Sequence, residues 1–162
     1  MAGPERVFVG LGANLGDAQA SVRAALASLA GLAQSSLVAH SALYRSAPIE
    51  ASGSDYVNAV AELRSELSPE VLLTELQALE RAFGRERPYH HAPRTLDLDL
   101  LIYGQRQMVT PTLTLPHPRL HQRAFVLAPL AELAPAWQLA NGCSVVGALA
   151  ELTDQRIQRM DP

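Results

Sequence analysis

The sequence predicts an α+β fold with a mostly antiparallel sheet and two helices packed on one of its faces. The first observation is the order of segments with strand-like and helical hydrophobic spacing, which is strand, helix, strand, strand, helix, strand. The second is size, because 162 residues that are 48% hydrophobic can bury one core but are too few for two ordinary domains. We therefore expect a single domain over residues 1–162.

The first half of this order begins with a short apolar strand at residues 7–11, which runs into a glycine-rich turn. Residues 18–33 then carry apolar side chains at helical spacing, and Asp17 is placed to cap that helix. Two further strands are expected at residues 36–44 and from residue 56 to residue 63, separated by a segment of proline, glycine and small polar residues.

The second half begins with Ser68 and Pro69, which predict the start of a helix that Gly84 ends. A strand at residues 96–103 completes the split βαβ order, so the predicted core is ferredoxin-like, βαββαβ. The remaining expectations are a hairpin at residues 107–112, an irregular Pro/His/Arg segment at residues 113–125 and a helix around residues 144–152.

Composition narrows the possible functions. The net charge of −3 argues against a broad nucleic-acid surface. All 13 basic side chains are arginine, so Schiff-base chemistry, a P-loop lysine and a protein-kinase lysine are excluded. Codon bias is a sufficient cause of the absence of lysine. Whatever the cause, arginine is the basic residue left to bind phosphate, and its guanidinium can do so in a bidentate manner.

The sequence also carries expectations about location. The N-terminus has no basic leader, and no apolar run approaches the ~20 residues that span a bilayer. A single cysteine, Cys143, excludes an intramolecular disulfide. We therefore expect a soluble, unexported cytoplasmic protein with no membrane or nucleic-acid partner.

The most specific pattern is a pair of acidic residues, Asp97 and Asp99, on the last core strand. Alternate residues of a strand share a face, so the two carboxylates project together, about 6.5 to 7 Å apart at Cα, and the intervening leucines point into the core. Such a pair suits Mg²⁺, which keeps coordination positions for water and substrate phosphates. The alternative is an exposed strand face that is acidic without function.

A cationic loop comes directly before this pair. Residues 84–94 contain Arg85, Arg87 and Arg94 with almost no apolar side chain, so the loop is not expected to hold the core together. Arginines beside carboxylates are typical of phosphoryl-type transfer, in which charge spreads over phosphate oxygens. A solvated surface loop is the alternative.

Two smaller patterns add candidate ligands. In residues 115–125 we interpret His117 and Arg123 as phosphate donors, because Pro118 disfavours the helix that a His117/His121 metal pair would need, and His121 stays unassigned.

On the third core strand, Tyr56 and Asn58 share a face, where an aromatic ring beside a planar amide suits a flat heterocycle. Packing and turn chemistry are the alternative for that pair.

At these residues the chain resembles the 6-hydroxymethyl-7,8-dihydropterin pyrophosphokinases, over about residues 7–135. Five blocks in order are more specific than any one of them. They are GLGANLGD at 10–17, YRSAPI at 44–49, YVNA at 56–59, APRTLDLDLL at 92–101 and LPH at 115–117.

The resemblance implies a diphosphotransferase of folate biosynthesis, usually a monomer, with the ferredoxin-like fold read above. It implies that Asp97 and Asp99 hold two Mg²⁺ ions on ATP, and that the pterin hydroxyl attacks the β-phosphorus and releases AMP. Arg85 and Arg94 look like catalytic residues of the family beside these acids. The implied ATP-binding residues are Gln77, Glu80, Arg87, Arg94, Leu100, Thr114, His117 and Arg123. The implied pterin-binding residues are Ser46, Ala47, Pro48, Ile49, Tyr56, Asn58 and Phe125.

The chain departs from the family pattern in four places. The arginine loop is one residue shorter, His91 stands where tryptophan is frequent, Ala47 replaces a common proline, and Pro118 replaces a frequent aromatic residue. A diverged paralogue and a non-catalytic ferredoxin-like binding module are therefore kept as alternatives. A nucleotide-binding oxidoreductase is a third, suggested by Gly10 and Gly12 after the first strand.

Overall fold

The computed structural model describes residues 3–14, 17–47, 55–84 and 96–160 of the chain. Its elements follow the predicted order through the core and then continue with further short elements. The strands are β1 Glu5–Ala13, β2 Ser35–His40, β3 Tyr44–Ser46, β4 Tyr56–Ser65, β5 Asp97–Tyr103, β6 Met108–Val109, β7 Thr114–Leu115 and β8 Ile157–Arg159. The helices are α1 Ala18–Ala30, α2 Pro69–Phe83, α3 Ala124–Leu133 and α4 Val145–Ala150, with a 3₁₀ turn at Leu120–Gln122.

The main sheet has the order β5-β1-β4-β3-β8, and β2 also pairs with β4. Its described strand pairings are antiparallel. This arrangement confirms the predicted α+β class, with the first strand placed between the last core strand and the third. It also excludes the oxidoreductase alternative, because a dinucleotide-binding fold needs a mostly parallel sheet around its first strand.

The two core helices begin and end where the sequence places caps. The Asp17 carboxylate accepts a hydrogen bond from the Ala20 amide at 3.0 Å, and the Ser68 hydroxyl accepts one from the Val71 amide at 3.3 Å. These side chains satisfy amide groups that a helix start leaves without a partner. Gly84 ends α2, as predicted, and its amide donates to the Glu80 carbonyl.

The sheet separates two hydrophobic clusters. Helices α1 and α2 cover one face, where Val9, Leu63 and Leu98 meet Leu29 and Leu72 in a continuous core. The opposite face is covered by α3 and α4, through a second cluster that contains Phe8, Val60, Ile102, Leu127 and Leu130. Both predicted core helices therefore lie on one face, and among the described residues α3 and α4 cover the second face only in part.

Three local expectations differ from the structure. The strand expected at residues 36–44 is divided, because Ser41 accepts a hydrogen bond from the Val60 amide through its hydroxyl at 3.0 Å and leaves the regular ladder. The expected hairpin is present, but it pairs β6 with β7 and is shifted along the chain. The segment at 113–125 contains β7, the 3₁₀ turn and the start of α3, and β8 was not predicted.

The helix expected around residues 144–152 is confirmed as α4, with Ser144 as its N-cap. Within the described ranges, we find no helix that is both long and apolar enough to cross a bilayer.

Candidate active site

A cavity of about 370 Å³ opens on the part of the second face that α3 and α4 leave uncovered. Its walls come from four strands and the start of α3, which are far apart in the sequence. The lining residues are Gly10, Leu11, Gly12, Asn14, Ser46, Ala47, Tyr56, Asn58, Ala59, Asp97, Asp99, Arg123, Phe125 and Val126.

The floor of this cavity is formed by two glycines of β1. Gly10 pairs with Asp99 on β5, and Gly12 pairs with Asp97 on β5 and with Asn58 on β4. Paired residues of an antiparallel sheet present side chains to the same face, so the glycines leave a groove between the carboxylates and the amide. A Cβ at position 12 would lie only 3.0 Å from the Asn58 side-chain nitrogen.

The carboxylates of Asp97 and Asp99 are half-buried and line the cavity, as the alternation of β5 predicts. Between and beside them, Leu96, Leu98 and Leu100 are at most 4% exposed on the other face of the strand. No cluster of three or more metal-ligating side chains occurs among the residues that the structure describes. A two-carboxylate site fits Mg²⁺, which retains water and phosphate oxygens as its other ligands.

The opposite wall is a buried polar pair. The Ser46 hydroxyl donates a 2.7 Å hydrogen bond to Asn58 Oδ1, and both residues are at most 6% exposed. This bond uses the amide oxygen and directs the amide nitrogen towards the side of Gly12. The amide of Asn58 is thus held in one orientation, with two N–H donors available to a bound ring.

Two side chains at the start of α3 close the cavity. The Arg123 guanidinium lies over the Phe125 ring at 5.5 Å from the centroid, and both residues line the cavity. The arrangement places a fixed positive charge beside an aromatic surface, in the same cavity as the carboxylate pair.

Comparison with known proteins identifies the family. A family model described as 7,8-dihydro-6-hydroxymethylpterin-pyrophosphokinase (HPPK) matches residues 8–135. The chain belongs to this family. Membership confirms the predicted enzyme class and pyrophosphate transfer in folate biosynthesis, and it does not favour a non-catalytic module.

Individual relatives agree with this assignment. A Synechocystis protein named 2-amino-4-hydroxy-6-hydroxymethyldihydropteridine pyrophosphokinase is 46% identical over 90% of this chain and 75% of its own length. A Pseudomonas aeruginosa protein of the same name is 42% identical over 96% of this chain and 97% of its own.

A solved structure of an HPPK-DHPS protein in complex with substrates aligns with a TM-score of 0.75 at 10% identity. The alignment covers 93% of this chain and 43% of that longer one. At this identity the likeness supports the fold alone.

Of the ATP-binding residues that the HPPK resemblance implies, those that the structure describes divide into one that lines the cavity and five that do not. Arg123, with the two aspartates, lines the cavity, but Gln77, Glu80, Leu100, Thr114 and His117 do not. Leu100 is 3% exposed in the core, so only its backbone is available to a nucleotide. A Glu80 oxygen accepts a 2.8 Å hydrogen bond from the Leu98 amide, at the edge of β5 between the two aspartates.

His117 lies beside the 3₁₀ turn, where it lines a smaller cavity of about 150 Å³ together with His121. Burial lowers the pKa of the His117 imidazole below its ordinary value, against the opposing effect of Asp99 and in the same direction as Arg123. Its Nδ1 accepts the Arg119 amide at 3.2 Å. Because Nδ1 accepts this hydrogen bond, the neutral form of the ring carries its proton on Nε2, which is then a donor.

Part of the predicted site lies outside the described residues. This part comprises Pro48, Ile49, Arg85, Arg87 and Arg94, so their assignments stay predictions. Of the other implied pterin residues, Ser46, Ala47, Tyr56, Asn58 and Phe125 all line the cavity.

Sequence reasoning missed the floor of the site. Gly10, Gly12 and Asn14 line the cavity, whereas the sequence indicated a turn beginning at Gly12. The signal was the alternation of Gly10 and Gly12 itself, which is the same period-two spacing that marks Asp97 and Asp99.

Proposed function

We propose that the chain transfers pyrophosphate from MgATP to the hydroxymethyl group of 6-hydroxymethyl-7,8-dihydropterin and releases AMP, as a single pterin pyrophosphokinase domain over residues 1–162. The observation that carries this proposal is the cavity at which a carboxylate pair, a fixed amide and an arginine–phenylalanine pair converge. None of these three groups is specific by itself, but together they combine a pocket for a ring with a site for phosphate.

The pterin end of the site consists of the aromatic and amide groups. Tyr56 and Phe125 offer ring faces for a flat heterocycle, and Asn58 offers donors in the plane of such a ring because Ser46 occupies its oxygen. Ala47, Pro48 and Ile49 complete the proposed pterin pocket. A polar group held this rigidly discriminates strongly against rings that lack the matching acceptor.

The phosphate end of the site depends on arginine. Arg123 provides a permanent positive charge at the cavity, and His117, which lines the smaller cavity, is proposed to donate its Nε2–H to phosphate. Further ATP contacts are proposed for Gln77, Glu80, Arg87, Arg94, Leu100 and Thr114, and Arg85 and Arg94 are proposed to stabilise charge in the transition state.

Asp97 and Asp99 would hold two Mg²⁺ ions, which when bound supply charge neutralisation and orientation of the triphosphate. The two residues suit this role because their carboxylates face the cavity while their neighbours on β5 anchor the strand in the core. Rigid placement on a strand favours in-line transfer, since positioning and electrostatics account for most phosphoryl-transfer catalysis.

The bond changes follow from the proposed products. The hydroxymethyl oxygen forms a bond to the β-phosphorus, and the bond from that phosphorus to the oxygen bridging it to the α-phosphorus breaks. AMP leaves with that oxygen, and the hydroxyl proton passes to solvent. A monomer in the cytoplasm is part of this proposal.

The test is a product assay with MgATP and 6-hydroxymethyl-7,8-dihydropterin, in which AMP and ADP are separated by chromatography. We expect AMP to form only when pterin is present, with one pterin pyrophosphate for each AMP. ADP as the product would contradict the proposal and indicate single phosphoryl transfer. Absence of any product from folded protein would favour a diverged paralogue.

A further inference from the structure

The side chain of Gln155, in the C-terminal segment, spans the backbone around Arg123. Its Nε2 donates a 2.8 Å hydrogen bond to the Gln122 carbonyl, and its Oε1 accepts a 2.8 Å hydrogen bond from the Ala124 amide. One amide therefore satisfies the acceptor before Arg123 and the donor after it. Gln155 lies outside residues 8–135, which carry the family match.

Helix α3 depends on this contact for its cap. Arg123 occupies the N-cap position and makes no side-chain capping hydrogen bond, so the Ala124 amide at the first helical position needs another partner. In many helices the acceptor for a first-turn amide is the side chain of a Ser, Thr, Asp or Asn at the N-cap itself. Here the acceptor comes from a residue 31 positions further along the chain.

The residues that this cap holds belong to the cavity. Arg123 is the residue between the two hydrogen-bonded backbone groups, and Phe125 follows directly after the second. Both side chains line the cavity, with the guanidinium packed over the ring. Since the backbone around Arg123 determines where both side chains point, its fixation should determine how well the cavity is preorganised.

The segment that carries Gln155 is itself anchored to β3, which contributes Ser46 to the wall of the cavity. Strand β8 begins two residues later and pairs with β3, and Ser46 on β3 forms a backbone pair with Ile157. The Met160 amide also donates to the Leu43 carbonyl at 2.8 Å. The C-terminal segment thus connects the Ser46 wall to the Arg123 wall.

We propose that Gln155 is a positioning residue that holds Arg123 and Phe125 in the geometry that binds substrate. This inference rests on the proposed function, because it takes Arg123 as a phosphate ligand and Phe125 as a wall of the pterin pocket. Gln155 acts through those two residues and is not itself a contact of the reacting atoms.

The kinetic test compares Gln155→Ala with Gln158→Ala, which removes an exposed glutamine side chain three positions away on β8. For Gln155→Ala we expect KM for ATP and for the pterin to rise by about 5- to 30-fold, the effect of losing two ordinary hydrogen bonds. We expect kcat to change by less than about 3-fold, since binding geometry is affected more than the transition state alone. Gln158→Ala should match the unsubstituted protein.

A second readout does not depend on activity. Hydrogen exchange at the Ala124 amide, measured by NMR, should accelerate by about 5-fold or more in Gln155→Ala, because its acceptor is gone. Gln155→Glu keeps an acceptor for Ala124 but places its second carboxylate oxygen against the Gln122 carbonyl, where the two acceptors repel. It should therefore keep the Ala124 amide protected while raising both KM values above those of Gln158→Ala. This variant decides the matter if Gln155→Ala does not fold.

The inference is overturned if exchange at Ala124 is unchanged in Gln155→Ala, or if exchange accelerates while both KM values stay at those of Gln158→Ala. Failure of the proposed function has a different signature, because the unsubstituted protein itself would then form no pterin-dependent AMP while the exchange result still stood.

Discussion

The second face of the main sheet, which α3 and α4 cover in part, has two halves whose side chains have different roles. The closed half consists of Phe8, Val60 and Ile102, which pack against Leu127 and Leu130 of α3 and are all buried. The same three strands, β1, β4 and β5, provide both halves, so the difference lies in the side chains and not in the backbone.

The open half consists of Gly10, Gly12, Asn58, Asp97 and Asp99, which line the cavity. Where the closed half has large apolar residues, the open half has glycines on β1 and carboxylates on β5. Helix α3 therefore packs on the closed half and leaves the open half uncovered. Residues that stabilise the fold and residues proposed to act on substrate are therefore separated along each strand. Changes in the open half should affect turnover, and changes in the closed half should affect folding.

The largest expected effect is at the carboxylates of the open half. Asp97→Ala and Asp99→Ala should each lower kcat/KM by about 1,000-fold or more, because each removes a proposed magnesium ligand. The free energy of unfolding should change by less than about 1 kcal/mol, since both side chains face the cavity and not the core.

The matched control for this prediction is Leu98→Ala, between the two aspartates on the other face of β5. It removes a side chain that is 4% exposed and should reduce the free energy of unfolding by about 2 to 5 kcal/mol. Urea denaturation and the AMP assay on the same samples separate the two effects. Full activity in either aspartate variant would contradict the metal assignment.

The reciprocal prediction concerns Phe8 in the closed half, which is fully buried and packs edge-on against Trp137 with ring centroids 5.4 Å apart. Phe8→Ala should lower the free energy of unfolding by about 3 to 5 kcal/mol. Activity per folded molecule, measured at a temperature well below the unfolding transition, should stay within about 3-fold. A larger loss of kcat in fully folded protein would show that the two halves are coupled.

A smaller effect is expected at the floor of the cavity. Gly12→Ala would place a Cβ 3.0 Å from Asn58 Nδ2, and Ser46 holds that amide in place, so the amide must shift or rotate. We expect KM for the pterin to rise by about 10-fold with KM for ATP little changed, the equivalent of about one hydrogen bond.

Gly10→Ala is the control for this prediction, because the nearest atoms to its Cβ among the described residues belong to the Leu101 side chain, at 3.4 Å or more, which is ordinary van der Waals contact. Isothermal titration with pterin and with a non-hydrolysable ATP analogue distinguishes the two ligands. Equal pterin affinity in the two alanine variants would contradict the role given to the Gly12–Asn58 contact.

The smallest effect is at the hydrogen bond that joins α3 to β3. Tyr44 donates to the Glu132 carboxylate, which also accepts from the Ala42 amide at 3.2 Å and lies 3.9 Å from Arg159. Tyr44→Phe should lower the free energy of unfolding by about 1 to 2 kcal/mol at pH 7. Turnover should be nearly unchanged, since this contact braces the wall of the cavity without lining it.

The same contact predicts a pH dependence. Burial, together with the hydrogen bond to Glu132, raises the pKa of Tyr44 from 10.0 to about 12. The folded state therefore keeps the proton that the unfolded state loses, and this stability is present below pH 10 and is lost as the pH rises towards about 12. The stability difference between the unsubstituted protein and Tyr44→Phe should shrink over that interval in alkaline denaturation. A constant difference would contradict the assignment.

Much of the site could be read from single segments. The alternation of Leu96, Asp97, Leu98 and Asp99 predicted which side chains face the core, because a strand has a fixed period of two. The same period places Tyr56 and Asn58 on one face of β4, the resemblance adds Ser46, and all three line one cavity in the structure.

The parts that were missed depend on pairing between segments. Gly12 indicated a turn when read alone, but β1 continues to Ala13 because β4 and β5 pair with it on both sides. Helix α3 was not predicted at all, and its start has no local signal, since Arg123 provides no capping side chain and the cap comes from Gln155.

The sequence by itself determined the fold class, because hydrophobic spacing within each segment gives the order of strands and helices. It also determined the ends of α2 at Ser68 and Gly84 and the two faces of β5, because these depend on neighbours within a few residues. Only the tertiary structure decided that Gly12 lies between Asp97 and Asn58, and that Arg123 lines the same cavity. The physical reason is that strand register and helix packing join residues far apart in the chain, and local sequence preferences carry no information about which distant segments will meet.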